Sequence, residues 1–184
     1  MIRAILSGVV TRFERTWNYD AAYLREVLEV SPTAFLRFML VGSLGHGRRA
    51  PAPAIAAAGI VGSLGEDCGP CTQIGVDMAA KAGVPPDILR AILAGDEAAM
   101  GREARLGYDF AKAVLDRDLV RADELRDDIL RLWGKGAVVD LGLALTTARM
   151  YPTLKYALGH GLACSRVTVG GEPAPFRKPR LMAA

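Results

Sequence analysis

"PAIAAAGIVGSLGEDCGPCTQIGVDMAAKAG", residues 53–83, carries two runs of small apolar residues on either side of a Cys-Gly-Pro-Cys tetrapeptide. Alanine and glycine recur at helical spacing in both runs, so two helix axes can approach closely there. The pattern predicts a helix on each side, tightly packed as a central pair, with the cysteine motif at the turn between them. Most of the functional reading depends on whether Cys68 and Cys71 are a redox device, half of a metal site or an inert pair.

The pattern stays helical away from this stretch. "SPTAFLRFMLVG" opens with Ser31 as an N-cap and Pro32 at the first helical position. "VPPDILRAILAG" starts at a proline pair, lines up Ile88, Leu89, Ile92 and Leu93, and ends at Gly95 as a C-cap. From Asp96 the spacing predicts a helix running through "FAKAVLD". Asp118 opens another, stopped by Gly134. "AVVDLGLALTTARMYPTLKYALGHGLAC" reads as a long apolar helix that Pro152 kinks or splits in two. Two short N-terminal helices, at 3–15 and 20–30, complete the set. Strand-like alternation is not seen, and glycines and prolines predict an irregular tail over about 170–184. The expected fold class is all-α, a multi-helix bundle forming a single domain over residues 1–184.

Half of the 184 residues are apolar (51%), and the mean hydropathy of +0.20 is high for a lone soluble subunit, so a homo-oligomer is expected. A net charge of +3 with scattered basic residues and 7% aromatics argues against nucleic acid. Arg177, Lys178 and Arg180 read as a solvated arm. The longest uncharged stretch, 50–65, is too short to cross a bilayer, and "MIRAILSGVV" is not followed by a cleavage site. Three cysteines are a poor disulfide framework for secretion, so the expected compartment is the cytoplasm.

On the residues alone, Asp67 is expected to cap a helix starting near Cys68. Both thiols then sit where the helix dipole favours an anion, which lowers a thiol pKa. Gly69 and Pro70 keep bulky groups off the sulfurs. Glu66 and Asp67 oppose a thiolate by their charge, yet a carboxylate beside a thiol is also a proton acceptor. A metal reading stays open beside this one. "HGLAC" puts His160 and Cys164 on one helical face, and with Cys68 and Cys71 they have the donors of a tetrahedral Cys₃His zinc site. The inert reading treats the pair as small core hydrophobes. His46 reads as a surface or helix-end residue, and Trp17, Trp133, Tyr151 and Tyr156 as core or subunit-interface aromatics.

The glycine- and alanine-rich helix, "DCGPC" at a helix start and the following "VDMAAKAGVPPDILRAIL" resemble the alkyl hydroperoxidase D-like, carboxymuconolactone decarboxylase-like superfamily. The resemblance covers residues 51–116, about a third of the chain. It implies an all-α protein, usually trimeric or hexameric, whose redox branch uses a C-x-x-C dithiol to reduce peroxides or to take electrons from a partner protein. It implies Cys71 as the attacking thiolate and Cys68 as the resolving thiol. That branch also carries a proton-relay Glu and His where this chain has Ala56 and Gly75. Glu66 is the candidate to replace the acid; His46 or His160 replaces the imidazole only where the fold or a second subunit brings it close.

The expected function is therefore thiol–disulfide exchange or peroxide reduction, with Cys71, Cys68 and Glu66 as site residues. It needs no cofactor and no metal. The expected partners are further copies of the chain (a dimer, trimer or hexamer), a redox partner protein and a small peroxide, with no nucleic acid and no membrane. Two alternatives stand beside it: a non-enzymatic or zinc-binding helical subunit, and a decarboxylase- or lyase-like enzyme, since part of the superfamily works on lactone acids without cysteines.

Overall fold

Proline and short polar caps set most of the helix starts. The computed structural model describes residues 2–45, 47–161 and 167–176. Among these, α1 spans Ile2–Trp17, α2 Ala22–Val30 and α3 Pro32–Ser43. At the start of α3 the Ser31 hydroxyl accepts the Ala34 N–H at 3.2 Å, and Pro32 takes a position whose N–H has no helical partner anyway. α4 covers Ala52–Gly65, α5 Gly69–Lys81 and α6 Pro86–Ala94; Gly95 closes α6 in the left-handed conformation. α7 is Gly101–Leu115 and α8 Leu119–Trp133, the latter capped by Asp118, whose carboxylate accepts the Arg121 N–H at 3.1 Å. α9 runs over Lys135–Ala157. The chain is thus predominantly helical.

Four segments differ from the sequence-based expectation; one is 158–161, because α9 has already ended at Ala157 and His160 therefore stands outside any helix. The helix expected from Asp96 begins at Gly101, because the Asp96 carboxylate turns back to accept the N–H groups of Ala98 and Ala99. Pro152 neither splits nor ends α9, which continues unbroken for 23 residues. A proline there removes one backbone bond, but both halves are held by packing. Leu141 and Leu145 lie in one hydrophobic cluster, and Leu154 and Leu158 pack on another. Finally, the start of the tail is not irregular. β1 (Val167–Val169) pairs antiparallel with β2 (Glu172–Ala174), in register Val169↔Glu172 and Val167↔Ala174. Gly170 and Gly171 both have positive φ, which a two-residue turn matching strand twist requires. Residues 177–184, with the basic Arg177, Lys178 and Arg180, lie outside the described residues.

The main core is built around α4. Ala, Ile, Val and Leu put buried side chains on every face of this helix, so it is surrounded rather than amphipathic. It packs most extensively against α7 and α9, and next against α5. Small residues make the contact close, as their spacing implied, but the closest approaches are to α7 and α9. A Cβ at Gly62 would meet the Leu145 carbonyl at 2.9 Å, and one at Gly107 would meet the Ala54 Cα at 2.8 Å. Fully buried Ile60, Leu89, Ile92, Leu93 and Leu141 fill the spaces between, each worth about 1.5–3 kcal/mol of burial.

A second cluster lies at the N-terminus. Val10, Tyr19, Tyr23, Leu24, Leu28 and Phe35 bury one another between α1, α2 and α3. Ile74 of α5, Leu154 of α9 and Leu158, which caps α9, pack against it. Phe38 meets Tyr151 edge-on at 5.1 Å, and the Lys81 ammonium sits 3.7 Å over the Trp17 ring. These contacts lay the N-terminal helices against α5 and the last turns of α9.

Candidate functional site

The corner between α4 and α5 is one continuous capping structure. Glu66 is the C-cap of α4; the Asp67 N–H bonds back to the Leu64 carbonyl at 3.2 Å, and the Cys68 N–H to that of Ser63 at 3.4 Å. This is the double closure that ends many helices, with Asp67 in the left-handed position (φ 56°) that glycine usually holds. Asp67 therefore does not cap α5. Cys68 does so itself, with extended backbone and no side-chain cap bond. Beneath the corner the buried Thr72 hydroxyl lies 2.9 Å from the Cys68 carbonyl and 3.1 Å from the Ser63 hydroxyl, tying the two helices together.

Cys68 and Cys71 are joined as a disulfide, their Cα atoms 5.3 Å apart. Helical geometry brings an N-cap residue and the third helical residue to the same end of the helix. Pro70, in the first turn, gives up an N–H that would have had no helical partner. The two sulfurs are not equivalent. Cys68 is buried (4% exposed), whereas Cys71 is partly exposed.

Cys71 has a polar neighbour from the far side of the sequence. The Tyr19 hydroxyl lies 3.9 Å from its sulfur. Tyr19 stands in the short link between α1 and α2, held edge-on against Phe13 and Tyr23 with ring centroids 5.8 and 6.4 Å away. Burial raises its pKa above the ordinary tyrosine value; a hydrogen bond from Tyr23 opposes this, and the negative charge of Asp20 reinforces it. Burial raises the pKa of Tyr23 strongly as well. Both phenols are thus neutral proton donors at physiological pH. Behind the Tyr19 ring, 5.6 Å from its centroid, is the ammonium of Lys155, a largely buried side chain of α9. Lys155, Tyr23, Asp20 and His160 line a surface recess of about 240 Å³.

The other site residues expected from sequence are placed as follows. The Glu66 carboxylate binds Arg149 of α9, with Nε at 2.6 Å, and the Tyr156 hydroxyl lies 2.8 and 3.0 Å from the Glu66 and Asp67 carbonyls. These bonds fasten the α4–α5 corner to α9. The imidazole Nε2 of His160 is 2.7 Å from the Glu26 carboxylate of α2. His46 and Cys164 lie outside the described residues. Among those described, no group of three or more His, Cys, Asp or Glu side chains is arranged to hold a metal. Ala56 is buried in α4. At Gly75, one turn beyond Cys71, a Cβ would meet only the Ile60 Cγ1 at 3.8 Å.

Tyr19, Tyr23, Lys155 and Arg149 were not singled out by the sequence. Tyr19 is separated from Cys71 by 52 positions, and "WNYD" carries no motif, so only the packing of α1 and α2 on α5 reveals it. No protein-family model matches this chain, and no match is found among curated proteins or among solved structures.

Proposed function

We propose that this protein is a thiol–disulfide oxidoreductase, peroxidase-like in its chemistry, with Cys71 as the attacking sulfur and Cys68 as its resolving partner. The observation that carries the reading is the asymmetric disulfide at the start of α5: the buried Cys68 is bonded to a partly exposed Cys71 that has a phenol beside it. A helix start favours the thiolate released on reduction, and the more exposed sulfur is the one a substrate reaches.

The steps balance with a dithiol as external reductant. A dithiol R(SH)₂ attacks the Cys68–Cys71 bond, passes two electrons and two protons to it, and leaves as its own cyclic disulfide. The Cys71 thiolate then attacks the terminal oxygen of a hydroperoxide R′OOH, giving Cys71 sulfenic acid and the alkoxide R′O⁻, which takes up a proton from water to become the alcohol. The Cys68 thiol condenses with the sulfenic acid, releasing water and restoring the disulfide. A partner protein's disulfide enters the same cycle in place of the peroxide.

The resemblance to the alkyl hydroperoxidase D-like superfamily supports this reading and its all-α redox branch. With Ala56 and Gly75 at the relay positions, proton transfer falls to other groups. Glu66 remains our candidate acid through its place at the α4–α5 corner, although Arg149 engages its carboxylate. A cytoplasmic setting belongs to the same proposal, since a reducing compartment keeps the dithiol cycling.

Dithiothreitol should release two thiols, at Cys68 and Cys71, and a small excess of hydrogen peroxide should consume both reversibly. In a Cys68→Ser variant, the sulfenic acid should accumulate at Cys71 and be trapped by dimedone. A Cys71→Ser variant should give no comparable adduct at Cys68. Reduced wild-type protein that keeps both thiols in excess peroxide and in oxidised partner dithiols would remove the proposal.

A further inference from the structure

We propose that the Tyr19 hydroxyl donates a hydrogen bond to the Cys71 thiolate in the reduced protein, with the Lys155 ammonium behind its ring strengthening that donor. The inference rests on the oxidoreductase reading and names the group that tunes its nucleophile. Its basis is geometric. The hydroxyl is already 3.9 Å from the Cys71 sulfur while that atom is in the disulfide, where sulfur is a weak acceptor. A thiolate at the same place carries a full charge, and charge-assisted bonds are shorter and stronger.

The phenol is held for this role. Phe13 and Tyr23 grip its ring edge-on, and the ring is almost completely buried. Tyr23 packs edge-on against the Tyr19 ring, centroids 6.4 Å apart, and the Tyr19 hydroxyl faces the Cys71 sulfur. Lys155 contributes a cation on the ring face at 5.6 Å. Among the described residues no carboxylate lies within ion-pair distance of its ammonium. A cation against a π-face draws electron density from the ring and sharpens the O–H dipole.

The charged and titratable groups facing this arrangement are Asp20 in the α1–α2 link, Tyr23 on α2, Lys155 and Tyr156 on α9, and Cys71 on α5. Glu66, next along the corner, has its charge offset by Arg149. Burial of Tyr19, opposed by Tyr23 and reinforced by the Asp20 charge, holds its proton in place above the ordinary tyrosine value, so the donor persists at neutral pH. A bond that stabilises the charged form lowers the thiol pKa; removing it must raise that pKa.

The test is the pH dependence of iodoacetamide alkylation at Cys71 in dithiothreitol-reduced protein, with Cys71 resolved from Cys68 and Cys164 by peptide mass spectrometry. Tyr19→Phe should move the alkylation midpoint up by about one pH unit and slow the reaction at pH 7 by about tenfold, the size expected for one hydrogen bond to a charged group. An unchanged midpoint in a Tyr19→Phe protein that melts like wild type overturns the proposal. Lys155→Met keeps the phenol and fills the buried site with an apolar chain. It should shift the midpoint in the same direction by a smaller amount, and it serves if Tyr19→Phe fails to fold; an unmoved midpoint there overturns the proposal equally. Wild-type protein that reoxidises neither with peroxide nor with an oxidised dithiol would instead remove the oxidoreductase reading, while the alkylation comparison would still read Tyr19.

Discussion

Position 107 has room for a hydrogen atom and nothing more. A Cβ there would meet the Ala54 Cα at 2.8 Å and its carbonyl carbon at 2.9 Å, and backbone cannot swing aside as a side-chain tip can. Gly107→Ala should therefore push α7 off α4 and destabilise the protein by about 2 kcal/mol, the usual scale for overpacking a filled core. The midpoint of urea unfolding reads this directly; an unshifted midpoint would mean that the α4–α7 separation is not set by this contact. Nothing in "RLGYDF" marks its glycine as different from the others. The residue-scale features that were legible are those with a local mechanism: Ser31 and Asp118 as caps, and Gly95 past a helix end. Asp67 illustrates the opposite case. Aspartate before a helix reads as an N-cap, but here the preceding helix needs a left-handed residue to close, and that demand takes the position.

At the scale of elements, the hairpin is the part that local pattern ought to have shown and did not. Val-Thr-Val followed by Gly-Gly is a strand and a two-residue turn, but a three-residue strand is too short to announce itself amid helices. An isolated hairpin of this size is not stable, and α5 and α6 supply what it lacks. Val167, Val169 and Ala174 join the main core; Gln73 accepts the Thr168 N–H at 2.7 Å and donates to its carbonyl at 3.1 Å, and Arg90 reaches the Val169 carbonyl at 3.2 Å. Gln73 is two residues past Cys71, so the helix that holds the disulfide also anchors the hairpin. Gln73→Ala should cost about 1–2 kcal/mol and release the Thr168 amide to fast hydrogen exchange, with exchange in α4 unchanged. Unaltered protection at Thr168 would show that apolar packing alone holds the hairpin.

For the whole molecule, apolar side chains left in solvent concentrate on the N-terminal helices. Ile2, Ile5 and Val9 form one exposed row on α1, and Leu36 and Leu40 of α3 another with Leu44, which caps that helix. Leucines at i, i+4 and i+8 share one face of a helix. If the homo-oligomer expected from composition forms, this row is the surface that a second copy of the chain would cover. Sedimentation equilibrium should then give a mass that is a multiple of 19.6 kDa, and Leu40→Glu should reduce it toward that value without unfolding the chain. A wild-type mass of one chain at micromolar concentration would end this reading.

Local chemistry was enough to read the helical class and most helix boundaries. Caps, prolines and the 3.6-residue period act over four or five positions, so a single sequence displays them. What stands around the sulfurs was decided by tertiary packing alone. The N-terminal helices bury their own cluster against Ile74, Leu154 and Leu158, and in doing so carry Tyr19 to Cys71 across 52 positions. The same packing turns Glu66 to Arg149 and His160 to Glu26, and carries α9 through Pro152 without a break. Contacts between residues so far apart depend on how whole helices dock, and docking is set by the summed burial of many side chains rather than by any stretch short enough to be read as a motif.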